Sequence, residues 1–241
     1  MTGTKLENLT WVEAEAALAG DPVVVIPMGA ALKEHGPHLK LNNDYRIAEY
    51  LAQQVLDQLD NVVVLPTVPY SFYPAFVEFP GSVSLSQDTA RDTILQICRS
   101  IANFGPKRFY CLNTGISTIR ALEPASVTLA DEGITLQYTN LEKVLAKTVR
   151  EISEQEGGSH ADEIETSMML VIAPETVDMT KAVKDFDKTG HGRLSRKQEI
   201  GKTYSPTGIW GDASLASVEK GQAVVKSLIS GILEEITKMR E

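Results

Sequence analysis

Asp21-Pro22-Val23-Val24-Val25-Ile26 is the stretch that decides the fold. Asp-Pro closes whatever precedes it, and four consecutive β-branched residues suit a strand covered on both faces, as in a parallel sheet between helix layers. Upstream, Thr10-Trp11-Val12-Glu13 is a capping-box pattern, which predicts a short helix over residues 11–18. Downstream, a polar segment (29–43) leads into Ile47, Leu51, Val55, Leu56 and Leu59, which recur at helical spacing over residues 44–59. The unit then repeats. An apolar strand is read at 61–65, a loop rich in proline and aromatics to 85, and a helix capped by Ser86 and ended by Gly105-Pro106. Further strands follow at 108–112 and 134–138, with helices through 121–131, 141–153 and 214–239. Strands alternating with helices predict a three-layer α/β fold with a central, mostly parallel sheet flanked by helices, and one domain over residues 1–241.

Composition removes several classes of function. The formal charge is −9, from 23 basic and 32 acidic residues. That balance argues against a nucleic-acid or anionic-membrane surface. No run approaches the roughly 20 apolar residues of a membrane span, and residues 1–8 lack the basic-then-apolar pattern of a secretory leader. Cys98 and Cys111 lie in apolar segments and read as buried inert thiols, which suits a cytoplasmic location.

In open α/β sheets, sites form beyond the carboxyl ends of the strands. His35-Gly36-Pro37-His38 with Asp44, after the first strand, has the nitrogen and oxygen donors of half a zinc or manganese site. A surface turn with solvated histidines gives the same pattern. His160-Ala161-Asp162-Glu163-Ile164-Glu165-Thr166-Ser167 opens an apolar helix. Asp162 and Glu163 there favour the helix dipole. His160 and Glu165 form an acid/base pair with an orienting partner, or else a cap and a solvated face. Gly190-His191-Gly192 reads as a solvated loop. The stretch 184–205 has no periodicity and is long for a passive connection, so a lid or a subunit contact is expected there.

Together these segments resemble the creatininase family. Its Glu-Gln-His-Gly-Pro-His-Leu signature reads Lys33-Glu34-His35-Gly36-Pro37-His38-Leu39 here, followed by Asp44. Phe79-Pro80-Gly81-Ser82 is similar to the family's Phe-Pro-Gly-Thr, and His160 to Ser167 differ from its His-Ala-Gly-Glu-x-Glu-Thr-Ser at Asp162 alone. Gly208 to Asp212 and Ala216 to Gly221 are similar to its closing pattern. The resemblance implies a hydrolase of a C–N bond in a small amide or cyclic amide, with two zinc or manganese ions, commonly assembled as a homohexamer. It places His35, Asp44 and Glu165 at metal-site positions and His160 at the catalytic acid/base position.

The departures fall on the metal shell. Lys33 stands at a ligating Glu, Gly115 at a ligating His, Ser117 at a later acidic ligand, and Ala75-Phe76 where many members have Glu-His. At about 4 Å and an effective dielectric of about 20, an ammonium and a divalent ion repel by roughly 8 kcal/mol. The expectation is therefore that Lys33 replaces one metal's charge, pairing with Asp44 and Glu165, and that zinc or manganese is held at reduced occupancy or not at all. Three readings follow: an amidohydrolase with a weakened centre, a lapsed member serving as a small-molecule-binding or oligomeric scaffold, and a metal-free enzyme. In the last, Lys33 and His160 carry the acid/base work, with the Lys33 pKa lowered by burial.

Overall fold

A computed structural model describes residues 3–190 and 193–240. Along the chain run β1 (Thr4–Lys5), α1 (Trp11–Ala19), β2 (Val23–Met28), α2 (Asn43–Gln58), β3 (Val62–Val64), α3 (Gln87–Ala102), β4 (Arg108–Asn113), α4 (Ile119–Asp131) and β5 (Thr135–Tyr138). These strands form one sheet in the order β1-β3-β2-β4-β5 with every pairing parallel. After it come α5 (Leu141–Ile152), α6 (Glu163–Ile172), the two-residue strands β6 (Lys184–Asp185), β7 (Leu194–Ser195), β8 (Thr203–Tyr204) and β9 (Gly211–Asp212), and α7 (Val218–Lys238). The expected α/β architecture is what the chain forms. No helix among the described residues is long and apolar enough to cross a membrane.

β2 lies at the centre because its six residues are wholly buried. Val23 and Val25 face one core layer, with α2, α6 and α7, while Val24, Ile26 and Met28 face the other, with α3 and α4. This is the two-residue alternation of a strand used on both faces. Local capping agrees with the sequence: Thr10 and Glu13 form the reciprocal box at α1, and Ser86 accepts from Thr89 N at α3. The last helix differs. It starts at Val218, not 214, because Ser217 caps it and residues 213–215 form a separate turn on the Asp212 carboxylate.

The stretch 184–205 is not shapeless. β6 pairs with β9 and β7 with β8, and Leu194 packs with Tyr73 and Phe76 from the loop after β3. Glu78 in that loop accepts from Ser195 Oγ at 2.8 Å and Lys202 Nζ at 2.7 Å. The candidate loop Gly190-His191-Gly192 falls largely outside the described residues. Cys98 and Cys111 are buried free thiols, and burial pushes Cys98 up to about 12.

Candidate active site

The carboxyl ends of β2 and β4 and the first turns of α2 and α6 bring one ionic cluster together. Gly29 makes the approach of α2 close: a Cβ there would lie 2.2 Å from the Asp44 carbonyl oxygen. Asp44 in the first turn of α2 is buried, as are Lys33 and His35 on the loop before it. Lys33 Nζ stands 2.6 Å from one Asp44 oxygen, and His35 Nε2 stands 2.8 Å from the other. His35 Nδ1–H donates to the Lys33 carbonyl at 2.9 Å, so Nε2 is the atom turned to the carboxylates, where it needs a proton or another cation.

Glu165, in the first turn of α6, lies 3.4 Å from His35 Nε2 and accepts from Ala161 N at 2.6 Å and Asn43 Nδ2 at 3.3 Å. Ala161 carries a left-handed backbone (φ 48°) between His160 and Asp162, a conformation costly for a residue with a side chain. His160 Nε2–H donates to the Glu34 carboxylate at 2.9 Å and to its carbonyl at 3.0 Å, which leaves Nδ1 facing Glu165 at 3.7 Å. Glu34 thus engages His160 while its neighbour Lys33 engages Asp44. Gly208 permits the clamp behind it, because a Cβ there would meet Glu34 Oε2 at 2.0 Å.

Two expectations change. Burial does penalise the Lys33 ammonium, but Asp44, Glu165 and Glu34 outweigh it and hold the pKa above the ordinary lysine value. The lowered pKa that would make Lys33 a base is therefore not found. Lys33 also makes its ion pair with Asp44, while Glu165 is served by His35, His160 and two amide donors. Burial likewise opposes charge on His35, yet Asp44 and Glu165 raise it to about 9. Asp44 is held below the usual range by Lys33 and His35 against the cost of burial, and Glu165 well below it by His35, His160 and Lys33.

Other candidates have structural work. His38 is not in the cluster: its Nε2 meets Thr166 Oγ1 at 2.8 Å, and burial lowers its pKa to about 4. Asp162 caps α6 by accepting from Ile164 N and Glu165 N. Glu163 anchors the amides of Glu154 and Gln155 and pairs with Lys220. Two residues of the cluster carry no charge and were not singled out as partners of Lys33. The Phe76 ring centroid lies 4.2 Å from that of His160 and 4.9 Å from Lys33 Nζ, and the Tyr73 ring 5.6 Å from that ammonium. Their aromatic faces favour a desolvated cation. The only sequence signal was Phe76 in a position where a histidine is common.

The donor set of the cluster could hold a divalent ion. Among the described residues, ligand atoms of His35, His160 and Glu165 lie within 4.8 Å of one another. The Lys33 ammonium is paired with Asp44, and a Cβ on Gly115 would press on Thr118 at 3.2 Å. Beside the cluster opens a cavity of about 1030 Å³ lined by Lys33, Phe76, His160 and Glu165 among others.

The creatinine amidohydrolase (Creatininase) family model matches residues 7–236. Creatinine amidohydrolase from Pseudomonas putida is 28% identical over 95% of this chain and 94% of its own length. A mycofactocin precursor peptide peptidase from Mycolicibacterium smegmatis is 26% identical over 90% of this chain and 85% of its own. Two solved creatininases, one described as the Mn form and one as a mutant of Zn-Zn type, superpose with a TM-score of 0.80 at 25% identity over 97% of both chains. The chain belongs to the creatininase (creatinine amidohydrolase) family.

Proposed function

We propose that this protein hydrolyses a C–N bond in a small amide or cyclic amide at a centre where the Lys33 ammonium stands in for one of two metal ions. One observation carries this reading: Lys33 Nζ lies 2.6 Å from Asp44, both buried, and Lys33 lines the cavity. Its raised pKa keeps the ammonium charged, so it acts on a substrate carbonyl as an electrostatic partner and not as a base. His35, His160 and Glu165 would hold a single zinc or manganese ion, which supplies Lewis acidity when bound. His160, with Nε2 committed to Glu34, presents Nδ1 beside Glu165; that nitrogen is a ligand atom when an ion is bound and a proton carrier when none is. In the overall reaction water adds its oxygen to the carbonyl carbon, the C–N bond breaks, and both of its protons go to the departing nitrogen, giving a carboxylate and an ammonium. The homo-oligomer implied by the resemblance and the cytoplasmic location that suits Cys98 and Cys111 belong to the same proposal.

A lapsed, binding-only member is the second reading, and the low basicity of Glu165 favours it, since a carboxylate held well below its usual pKa is a poor proton acceptor. Elemental analysis of protein purified without chelator, run beside a small-amide hydrolysis panel, separates them. We expect at most one zinc or manganese per chain together with amine release. Two tightly held ions per chain would refute the lysine replacement; amide binding with no release at any metal loading would leave the second reading standing.

A further inference from the structure

We infer that the substrate carries an aliphatic group, seated in an apolar arm that continues the cavity away from the ionic cluster. This rests on the amide-binding half of the proposed function and not on turnover. The arm follows from helix periodicity. Asp44 and Ile47 are three residues apart on α2, and Glu165 and Met168 three apart on α6, so each charged residue has an apolar neighbour one turn along the same face. Ile47, Ile164 and Met168 line the cavity together with Leu145 and Val149, one turn apart on α5, and Leu228 on α7. The arm is therefore open at the edge of the core cluster to which these residues belong.

Size leads the same way. The cavity, about 1030 Å³, is at the upper end of the roughly 300–1,000 Å³ usual for ligand sites. A ring the size of creatinine would occupy a small part of it. One helical turn is about 5.4 Å, so three or four carbons of an attached chain span the step from Asp44 to Ile47 or from Glu165 to Met168. Of the described α5 residues that line the cavity, Glu142 alone is charged.

The test is binding of straight-chain amides from acetamide to octanamide, by calorimetry, to the intact protein and to A146F, which fills the arm from an exposed α5 position that lines the cavity. Each methylene should tighten binding about fourfold, or about two-hundredfold from acetamide to hexanamide. In A146F the gain should stop short while acetamide binds as before. V149N, also in the arm, keeps the outcome readable if A146F misfolds, and should flatten the dependence. Affinity independent of chain length, or no binding at any length, overturns the inference. So does sedimentation showing that A146F breaks an oligomer whose copies cover the arm. Ammonia release, measured separately, reports on hydrolysis: binding that grows with length without release keeps the arm and discards the hydrolase.

Discussion

Replacing Lys33 with methionine removes the ammonium and keeps most of its apolar stem. At 2.6 Å, and with an effective dielectric of about 20, its gross attraction to Asp44 is about 6 kcal/mol. Desolvation offsets much of that, but deleting one partner of a buried pair typically costs about 3–5 kcal/mol, because the other charge stays buried. For a chain of this length 1 kcal/mol moves the melting temperature by about 2–4 °C, so K33M should melt roughly 6–20 °C below wild type. K33E goes further by setting a third carboxylate against Asp44 and Glu165. It should be less stable than K33M in metal-free buffer and should recover with zinc. An ion at a hundred times its dissociation constant adds about 2.7 kcal/mol, or about 5–10 °C. Melting by circular dichroism, with chelator and then with graded zinc, reads both effects. The reasoning is refuted if K33M melts with wild type, or if K33E takes up no more zinc per chain than wild type does.

Stability should peak near pH 6.5. His35 has a folded pKa of about 9, above the ordinary 6.5, so its contribution is complete below pH 6.5 and is lost as pH rises through 9. His38, at about 4, does the reverse: its stabilisation is present above pH 6.5 and is lost as pH falls towards 4. Each limb is of order 3 kcal/mol, and urea midpoints between pH 4 and 9 that show no maximum would contradict the pair. E78A removes the acceptor of Ser195, Arg196 and Lys202. Trypsin should then cut at Arg193, Arg196, Lys197 or Lys202 roughly several-fold faster with little change in the global melting temperature; unchanged cleavage would show that Glu78 does not hold this segment.

Local signals carried the fold. The β-branched run at 23–26, the Thr10 and Ser86 caps and the helical spacing on α2 and α3 act over a few residues, and burial on two faces follows from them. Ser214 misled because Ser217, three residues on, caps equally well and Asp212 had already claimed the first turn. His38 matched a signature, yet its ring turns to Thr166, 128 residues away. Glu34 and Glu165 meet at His160 only because the loop after β2 and the start of α6 converge at one sheet edge.

The sequence alone determined the strand and helix order, the parallel sheet and the edge where chemistry gathers, since these depend on periodicity and capping. The resemblance implied, in addition, that a lysine and a glycine stand at ligand positions. Only the tertiary structure decided what the lysine does there. Whether burial lowers an ammonium's pKa or neighbours raise it depends on which carboxylates its charge reaches, and that is set by how α2, α6 and the loop after β2 come together. Here Asp44, Glu165 and Glu34 prevail over the cost of burial, and Lys33 stays a cation.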